Sequence, residues 1–416
     1  MALLKKKWDY LNEGNLHIII RVRNTDHVIR LTKESENSHI NLEQMSLNID
    51  FVNMVTNPLI LNATEEKQQL LTLTPEETEK LPELLLEYRP KHRLHKQRIS
   101  CFAIAAPNLT YLNAAADMNF CIEIKPKEGF LPDTLKQVGK CFYCLKQFSK
   151  IKDNLISKIS NYCPLDLFSG DKERMLISLQ NLVENPQNNF RVFYNSLLIY
   201  DENSMCKHQE MLSKMGVFED TTQLLSFIVE ILISSHNENS SIAVETSKQK
   251  NTCDFEEQSN KTVKICQEGA GPAPHSILHT LLGLQKLQTS SAVQSEEHSL
   301  DYAQSMLSLI KTKDLNLRND TDKALFLQCL KPYHLAMISA IFRDCSLMIS
   351  FSTSYIEGYP YISFNNIKLP YKVSVTDLEP KHPSTLGRRI KTEGQLIDYY
   401  KRFLSSSHIM KPEQNS

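Results

Sequence analysis

Glycine is scarce, at 11 of 416 residues, and this excludes collagen-like and Gly-rich repeat folds. Long apolar runs are missing too. A membrane helix needs ~20 apolar residues, and the best stretch, Leu224 to Ile233, is short and contains Glu230. Net charge is nearly absent: 47 Lys plus Arg against 48 Asp plus Glu, a formal -1. A surface basic throughout, as on a dedicated nucleic-acid binder, is therefore not expected, although a local basic cleft is allowed. Ten cysteines are too few for a disulfide framework in a chain this long. The first ten residues, MALLKKKWDY, carry charges where a signal peptide needs an apolar core. The thiols then read as reduced, and the expected location is cytoplasmic and/or nuclear; Lys5-Lys6-Lys7 is too short to decide between them.

What is present is an ordinary globular balance, 41% hydrophobic and 23% charged. The length calls for two or three lobes rather than one core. Leu16–Val22 and His27–Leu31 read as strands joined by Asn24-Thr25-Asp26. Residues 41–60 and 74–88 read as helices, the second opening on Thr74-Pro75-Glu76-Glu77. A basic run from Arg89 to Arg98 leads into an apolar strand, Ile99–Ala105. Asn119–Ile124 is the next strand, 133–161 mainly helical, and Arg174–Glu184 an amphipathic helix. Phe190–Phe193 and Leu197–Tyr200 form a hairpin around Asn195-Ser196. Thr221–Ser234 is helical. Residues 236–271 are polar and nearly free of aromatics, which predicts a disordered insertion. Helices follow at 274–287, 296–311 and 321–341, then strands at Cys345–Phe351 and Tyr371–Val375, and a last helix at Gln395–Leu404.

Several residues could carry chemistry. Asp344 precedes one late strand and Asp377 follows the other. Two such carboxylates suit Mg²⁺, which takes oxygen ligands, although Asp at a strand end is commonly a turn former. Lys125 and Lys127 flank Pro126 at the end of a strand, two residues apart, with Glu123 two residues back. A phosphate about 4 Å from either ammonium gains roughly 4 kcal/mol of gross attraction at an effective dielectric of 20; solvated lysines are the plain alternative. The basic run 89–98 is either a solvated or import patch or the wall of a polyanion pocket. Asn12-Glu13-Gly14-Asn15 could cover a nucleotide or simply turn a hairpin, and Arg30 on the return strand could reach a phosphate. Cys141-x-x-Cys144 has no second pair at finger spacing, so zinc is not expected there. His275 and His279 share a helix face but have no identifiable partner.

Taken together, several segments resemble the inositol-pentakisphosphate 2-kinase family. They are Glu123-Ile124-Lys125-Pro126-Lys127 with Gly129-Phe130; Tyr162 to Gly170 with Lys172, Arg174 and Met175; Gln187 to Phe193; Asp344 to Ile349; and Asp377 to Tyr400. The resemblance runs from Trp8 to about Leu404. It implies an α+β, bilobal, protein-kinase-like fold with a small mainly β N-lobe (1–104), a hinge (105–109) and an enlarged α/β C-lobe. The C-lobe would comprise 110–235 and 272–416, divided by the insertion 236–271. It implies transfer of the ATP γ-phosphate, with Mg²⁺, to the 2-hydroxyl of inositol 1,3,4,5,6-pentakisphosphate. Asp344 would be the base and a magnesium ligand, Asp377 the second ligand, and Lys125 the stabiliser of the phosphoryl group. Arg93, Lys127, Lys150, Asn188, Asn189 and Lys381 would hold the inositide. Gly14, Asn15, Arg30, Asn108, Glu123, Arg191 and Met348 would surround ATP. A small-molecule substrate, no required nucleic acid, no membrane and a monomer are the expected partners and state. The chain departs from the family at Asn12, where glycine is usual, at Arg343, at Glu379-Pro380, and at Thr385, where plant members place a basic residue. Plant members also hold a zinc with His and Cys, ligands that do not map here, so no metal beyond magnesium is expected.

Overall fold

The computed structural model of the chain describes residues 3–14, 16–34, 41–61, 67–95, 98–204, 208–235, 240–241, 265–287 and 301–409. Its architecture is α+β, built on two sheets. The first comprises β1 (Trp8–Glu13), β2 (His17–Val22), β3 (His27–Glu34), β4 (Gln69–Thr72) and β5 (Arg98–Pro107), in the order β1-β2-β3-β5-β4. All its pairings are antiparallel. Alternation decides its inner face: Ile18, Ile20 and Val22 of β2 are buried while the residues between them are not. Leu81 and Leu85 of the Pro75–Leu85 helix close this core. That helix begins as its sequence predicts, with Pro75 at the first position and a reciprocal Thr74–Glu77 capping box.

The second sheet comprises β6 (Asn119–Ile124), β7 (Phe190–Tyr194), β8 (Leu197–Tyr200), β9 (Ser240–Ser241), β10 (Ser346–Ser352), β11 (Tyr361–Phe364) and β12 (Ile367–Thr376). Its order is β8-β7-β6-β10-β12-β11-β9, antiparallel except for the short β9–β11 pairing. Every residue of β6 and β10 is buried, including the polar Asn119, Glu123, Ser346, Ser350 and Ser352. The large core around them takes in the Thr221–Ile233, Ile277–Gln285 and Pro332–Phe342 helices. The β7–β8 hairpin turns at Asn195 and Ser196, both at positive φ (47° and 67°), as a two-residue primed turn requires.

The structure differs from the sequence reading in places. Residues 133–161 hold only the Asp133–Lys136 and Phe142–Lys152 helices. Gly139 at φ 66° separates them, and Asn154 at φ 54° follows the second. The expected 321–341 helix is two, Asp320–Cys329 and Pro332–Phe342, because Pro332 can open a helix but cannot continue one. The last helix is longer, Ser384–Ile409. β1, β4 and β11 escaped the sequence reading. Of the expected insertion, 236–239 and 242–264 lie outside the described residues, but 265–271 is packed. Cys266 N–H donates to the Gly139 carbonyl (2.9 Å) and Gly271 N–H to that of Ser169 (3.1 Å). A Cβ at Gly269 would meet the Ser169 oxygen at 2.4 Å. These contacts are made largely by backbone, so polar composition did not reveal them. Among the described residues, no helix is long and apolar enough to cross a membrane.

Candidate functional site

The ends of three interior strands meet at one end of the second sheet. β6 ends there and continues into Lys125-Pro126-Lys127. β10 starts there after Asp344, and β12 ends there before Asp377. The antiparallel register places Leu347 opposite Ile124 and Ser346 opposite Thr376, so the two aspartates flank one another. Each takes a lysine from the β6 end. Lys125 Nζ lies 3.2 Å from Asp377 Oδ2, and Lys127 Nζ lies 3.0 Å from Asp344 Oδ1. Lys381 Nζ approaches the other Asp344 oxygen at 3.9 Å. Behind them, Ser346 Oγ is within 3.0 Å of Glu123 and 3.3 Å of Asp377. Arg191 reaches Glu123 at 3.4 Å from the neighbouring strand, and Met348 pairs with Glu123 across the sheet.

The backbone here is held in unusual conformations. Lys127, Gln187, Asn188 and Asp377 all have positive φ, between 42° and 65°, in a region that non-glycine residues rarely occupy. Such strain clusters at functional sites because packing must maintain it. Charge is concentrated as well. A cavity of about 360 Å³ beside Asp344 is lined by the cations Lys127, Lys146, Lys150, Arg343 and Arg389, against only two carboxylates, Glu128 and Asp344. The Asp344 side chain is exposed at the mouth of the cavity, its neighbours desolvate it in part and so raise its carboxyl, and Lys127, Lys381 and Lys125 outweigh this and hold the group below its ordinary 3.8. Burial lowers the Lys125 ammonium, and Asp377, Glu123 and Asp344 more than reverse this. Lys150 is lowered by burial and by its neighbours Lys146 and Lys127. Its ammonium donates to Gln187 Oε1 at 3.1 Å. The arrangement is an anion basin beside a pair of acids.

Most of the residues singled out from the sequence converge here, with differences in how they are engaged. Asn188 and Asn189 line the basin, and Asn188 Oδ1 accepts from Arg191. The Asn189 amide is committed to its own turn, donating to Pro186 and Gln187 carbonyls at 3.1 and 3.0 Å. Its carbonyl accepts from Lys125 N–H at 2.9 Å. Arg30 stands across a narrow cleft between the sheets, which Ala106, Pro107 and Asp377 also line, and pairs with Glu379 at 2.8 Å. Asn108 lies at the end of β5. Its N–H donates to Asp26 (2.7 Å) and its amide to Ser196 (3.0 Å), which fastens the two sheets together. Gly14 turns β1 into β2, donating to the His17 carbonyl at 2.9 Å. Asn15 lies outside the described residues. Arg93 does not line the basin; its carbonyl accepts from Arg89, which is buried against Glu13. Lys146, Arg389 and Glu128 escaped the sequence reading. Lys146 sits one helical turn before Lys150, so i, i+4 spacing was the available signal.

Two sets of side chains could hold metal. Asp344 and Asp377 offer oxygen donors at one end of the sheet, the hard ligands that magnesium takes. The second set is Cys141, Cys144, Cys163 and Cys266, whose sulfurs all lie within 4.8 Å of one another. The missing second pair, the reason for setting zinc aside at Cys141-x-x-Cys144, comes from remote segments brought in by the fold. Four thiols so gathered are the donor set of a structural tetrahedral zinc site. The four thiols share hydrogen bonds and titrate together, Cys266 driven down while Cys141 and Cys144 are driven up. Among the described residues, His275 and His279 do not join this group.

The comparisons agree with the geometry. The sequence model described as Inositol-pentakisphosphate 2-kinase matches residues 10–395. An inositol-pentakisphosphate 2-kinase of Danio rerio is 25% identical, over 95% of this chain and 93% of that protein. One of Arabidopsis thaliana is 30% identical over 71% of this chain and 62% of its own length, and one of Oryza sativa subsp. indica 26% over 76% and 69%. With the model match covering nearly the whole chain, this protein belongs to the inositol-pentakisphosphate 2-kinase family.

Proposed function

We propose that the protein transfers the γ-phosphate of ATP to the 2-hydroxyl of inositol 1,3,4,5,6-pentakisphosphate, giving inositol hexakisphosphate. One observation carries this reading: the end of β6 delivers two lysines, each onto one of two neighbouring aspartates, beside a basin with five cations against two carboxylates. The first sheet would be the nucleotide-covering lobe and the second sheet with its helices the larger lobe, joined at 105–109, as in protein kinases. The substrate carries roughly eight to ten negative charges, so Lys127, Lys150 and Lys381 hold phosphates while Asn188 reads orientation. Asn189 acts through its turn. Arg93 is assigned to the inositide by the resemblance alone.

Nucleotide binds in the cleft between the sheets, with Arg30 facing its phosphates, Gly14 and Asn108 framing it, and Glu123, Arg191 and Met348 forming the wall. Asp344 and Asp377 have the oxygen donors magnesium takes and would hold it, and the bound ion would supply neutralisation of the charge that develops on the transferring phosphoryl group. Asp344 accepts the proton of the attacking hydroxyl. That oxygen bonds to the γ-phosphorus, the bond from phosphorus to the β-bridging oxygen breaks, and ADP departs. Lys125 stabilises the phosphoryl group in flight. Catalysis rests on alignment and charge placement rather than a covalent intermediate. The test is product analysis by anion-exchange chromatography, after incubation of the purified protein with Mg-ATP and separate inositol phosphate isomers. Conversion of the pentakisphosphate to the hexakisphosphate is expected; ATP-independent binding without conversion would refute the reading.

A further inference from the structure

Gln285, the last residue of the Ile277–Gln285 helix, is fully buried although its side chain is polar. Its amide is saturated, and every partner belongs to one of two segments. Nε2 donates to the Lys127 carbonyl at 2.9 Å and to the Phe342 carbonyl at 3.0 Å. Oε1 accepts from Gly129 N–H at 2.9 Å. The amide orientation follows from the chemistry, since a flipped group would set its oxygen against two carbonyl oxygens. The Gln285 carbonyl accepts from Ser339 Oγ at 2.6 Å and from the Arg343 guanidinium at 3.2 and 3.3 Å. One residue therefore ties the loop after β6, at Lys127 and Gly129, to the end of the Pro332–Phe342 helix, at Ser339, Phe342 and Arg343. Asp344 is the next residue in that second segment, and Lys127 Nζ meets it at 3.0 Å. Lys127 also has the left-handed φ of 61°, which its loop would leave if released.

We propose that Gln285 is a positioning residue that sets Lys127 against Asp344. It touches no substrate atom; it fixes the two backbones from which the phosphate-holding ammonium and the proton-accepting carboxylate project. Two N–H donors aimed at two carbonyls, one from each segment, do what no apolar side chain can. Burial makes the loss of either bond expensive. The proposal rests on the kinase reading for what Lys127 and Asp344 do, and its test separates the two.

Gln285→Glu keeps the shape but turns a carboxylate oxygen toward both carbonyls; Gln285→Met removes the polar group. For each variant that folds, with thermal unfolding as the check, three quantities are measured. These are kcat, affinity for inositol hexakisphosphate by titration calorimetry, and affinity for a non-hydrolysable ATP analogue. Positioning predicts kcat down about 100-fold, hexakisphosphate binding weaker by roughly tenfold, and nucleotide affinity unchanged. In a Lys127→Ala background the same substitution costs hexakisphosphate binding less than about twofold, since its route of action is already gone. A tenfold loss that persists in Lys127→Ala, an equal loss of nucleotide binding, wild-type behaviour, or failure of both variants to fold overturns the proposal. If the unmutated protein transfers no phosphate but the binding cycle still couples Gln285 to Lys127, the kinase reading fails and the positioning role stands.

Discussion

Replacing Asp344 by Asn should move turnover and binding in opposite directions. Asn keeps the volume and can still accept from Lys127, so a folding defect would not imitate the result. Turnover loses its proton acceptor, an effect of about 10²- to 10⁴-fold on kcat. Binding gains. Lys127 at 3.0 Å and Lys381 at 3.9 Å lose an anionic partner, and the incoming phosphates lose a like charge. The Asp344 side chain is 62% exposed, so water screens much of that repulsion, leaving about 1 kcal/mol, or roughly fivefold tighter hexakisphosphate binding. The lysines also hold this carboxyl below 3.8. It therefore stays ionised as pH falls to the ordinary carboxylate range, so protonation of Asp344 does not contribute to the acid limb of kcat/KM above that range. Single-turnover phosphate transfer and calorimetric titration read the two quantities. A variant within tenfold of wild-type kcat, or one that binds the inositide tenfold more weakly, would refute the role of Asp344 and the charge argument together.

The purified protein should carry about one zinc per chain by elemental analysis. Cys144→Ser and Cys266→Ser should lose it and lower the Tm by about 5–10 °C, while Cys101→Ser, at an exposed thiol, changes neither; zinc-free protein of unaltered Tm would sink the site. His17 is pushed down to about 4 by burial and then by Arg30. The folded chain thus binds fewer protons than the unfolded one between pH 6.5 and 4, and stability should fall as pH drops through that window by roughly 3 kcal/mol. Urea unfolding of His17→Gln should show a flatter pH dependence, and an unchanged slope would count against the assignment. Lys150→Ala should weaken hexakisphosphate binding several-fold more than Lys127→Ala, because Lys127 already lies on Asp344 while Lys150 donates to a neutral amide; the reverse order in calorimetry would contradict this.

Local chemistry made much of this structure legible. The alternation of Ile18, Ile20 and Val22, the Thr74–Glu77 box and the Asn195-Ser196 turn each state their conformation within a few residues. The acid pair was legible because both aspartates sit at strand ends, and the lysine pair because Pro126 marks the end of β6. The cysteine cluster was not, because Cys163 and Cys266 join Cys141 and Cys144 only after the chain folds. Gln285 was invisible for the same reason: its partners at 127, 129 and 342 are distant in sequence and are backbone atoms, whatever side chains stand there. Arg389 hid because the last helix starts at Ser384, eleven residues before the Gln395 at which the sequence places its start. Its guanidinium, near Glu128 at 2.6 Å and over the Phe142 ring, belongs to the basin wall.

A chain of net charge -1 holds a polyanion basin because many of its phosphate-facing cations start out paired. Lys125, Lys127, Arg191 and Arg30 each lie on an acid, at 3.2, 3.0, 3.4 and 2.8 Å. A phosphate approaching one of these gains its attraction against the carboxylate already there, so its net contribution to affinity is less than that of a cation with no acid beside it. What such a residue contributes is a fixed position for its charge at the moment of transfer. Lys146 and Lys150 are different. Among the described residues, Lys150 donates to a neutral amide, and the repulsion from Lys146 and Lys127 outweighs the attraction of Glu202, so an arriving phosphate relieves repulsion as well as adding attraction. Affinity for the substrate therefore sits mainly on the Phe142–Lys152 helix, and alignment for chemistry on the ends of β6, β10 and β12. That division lets the site bind a highly charged ring tightly without placing an unneutralised lysine beside the proton acceptor.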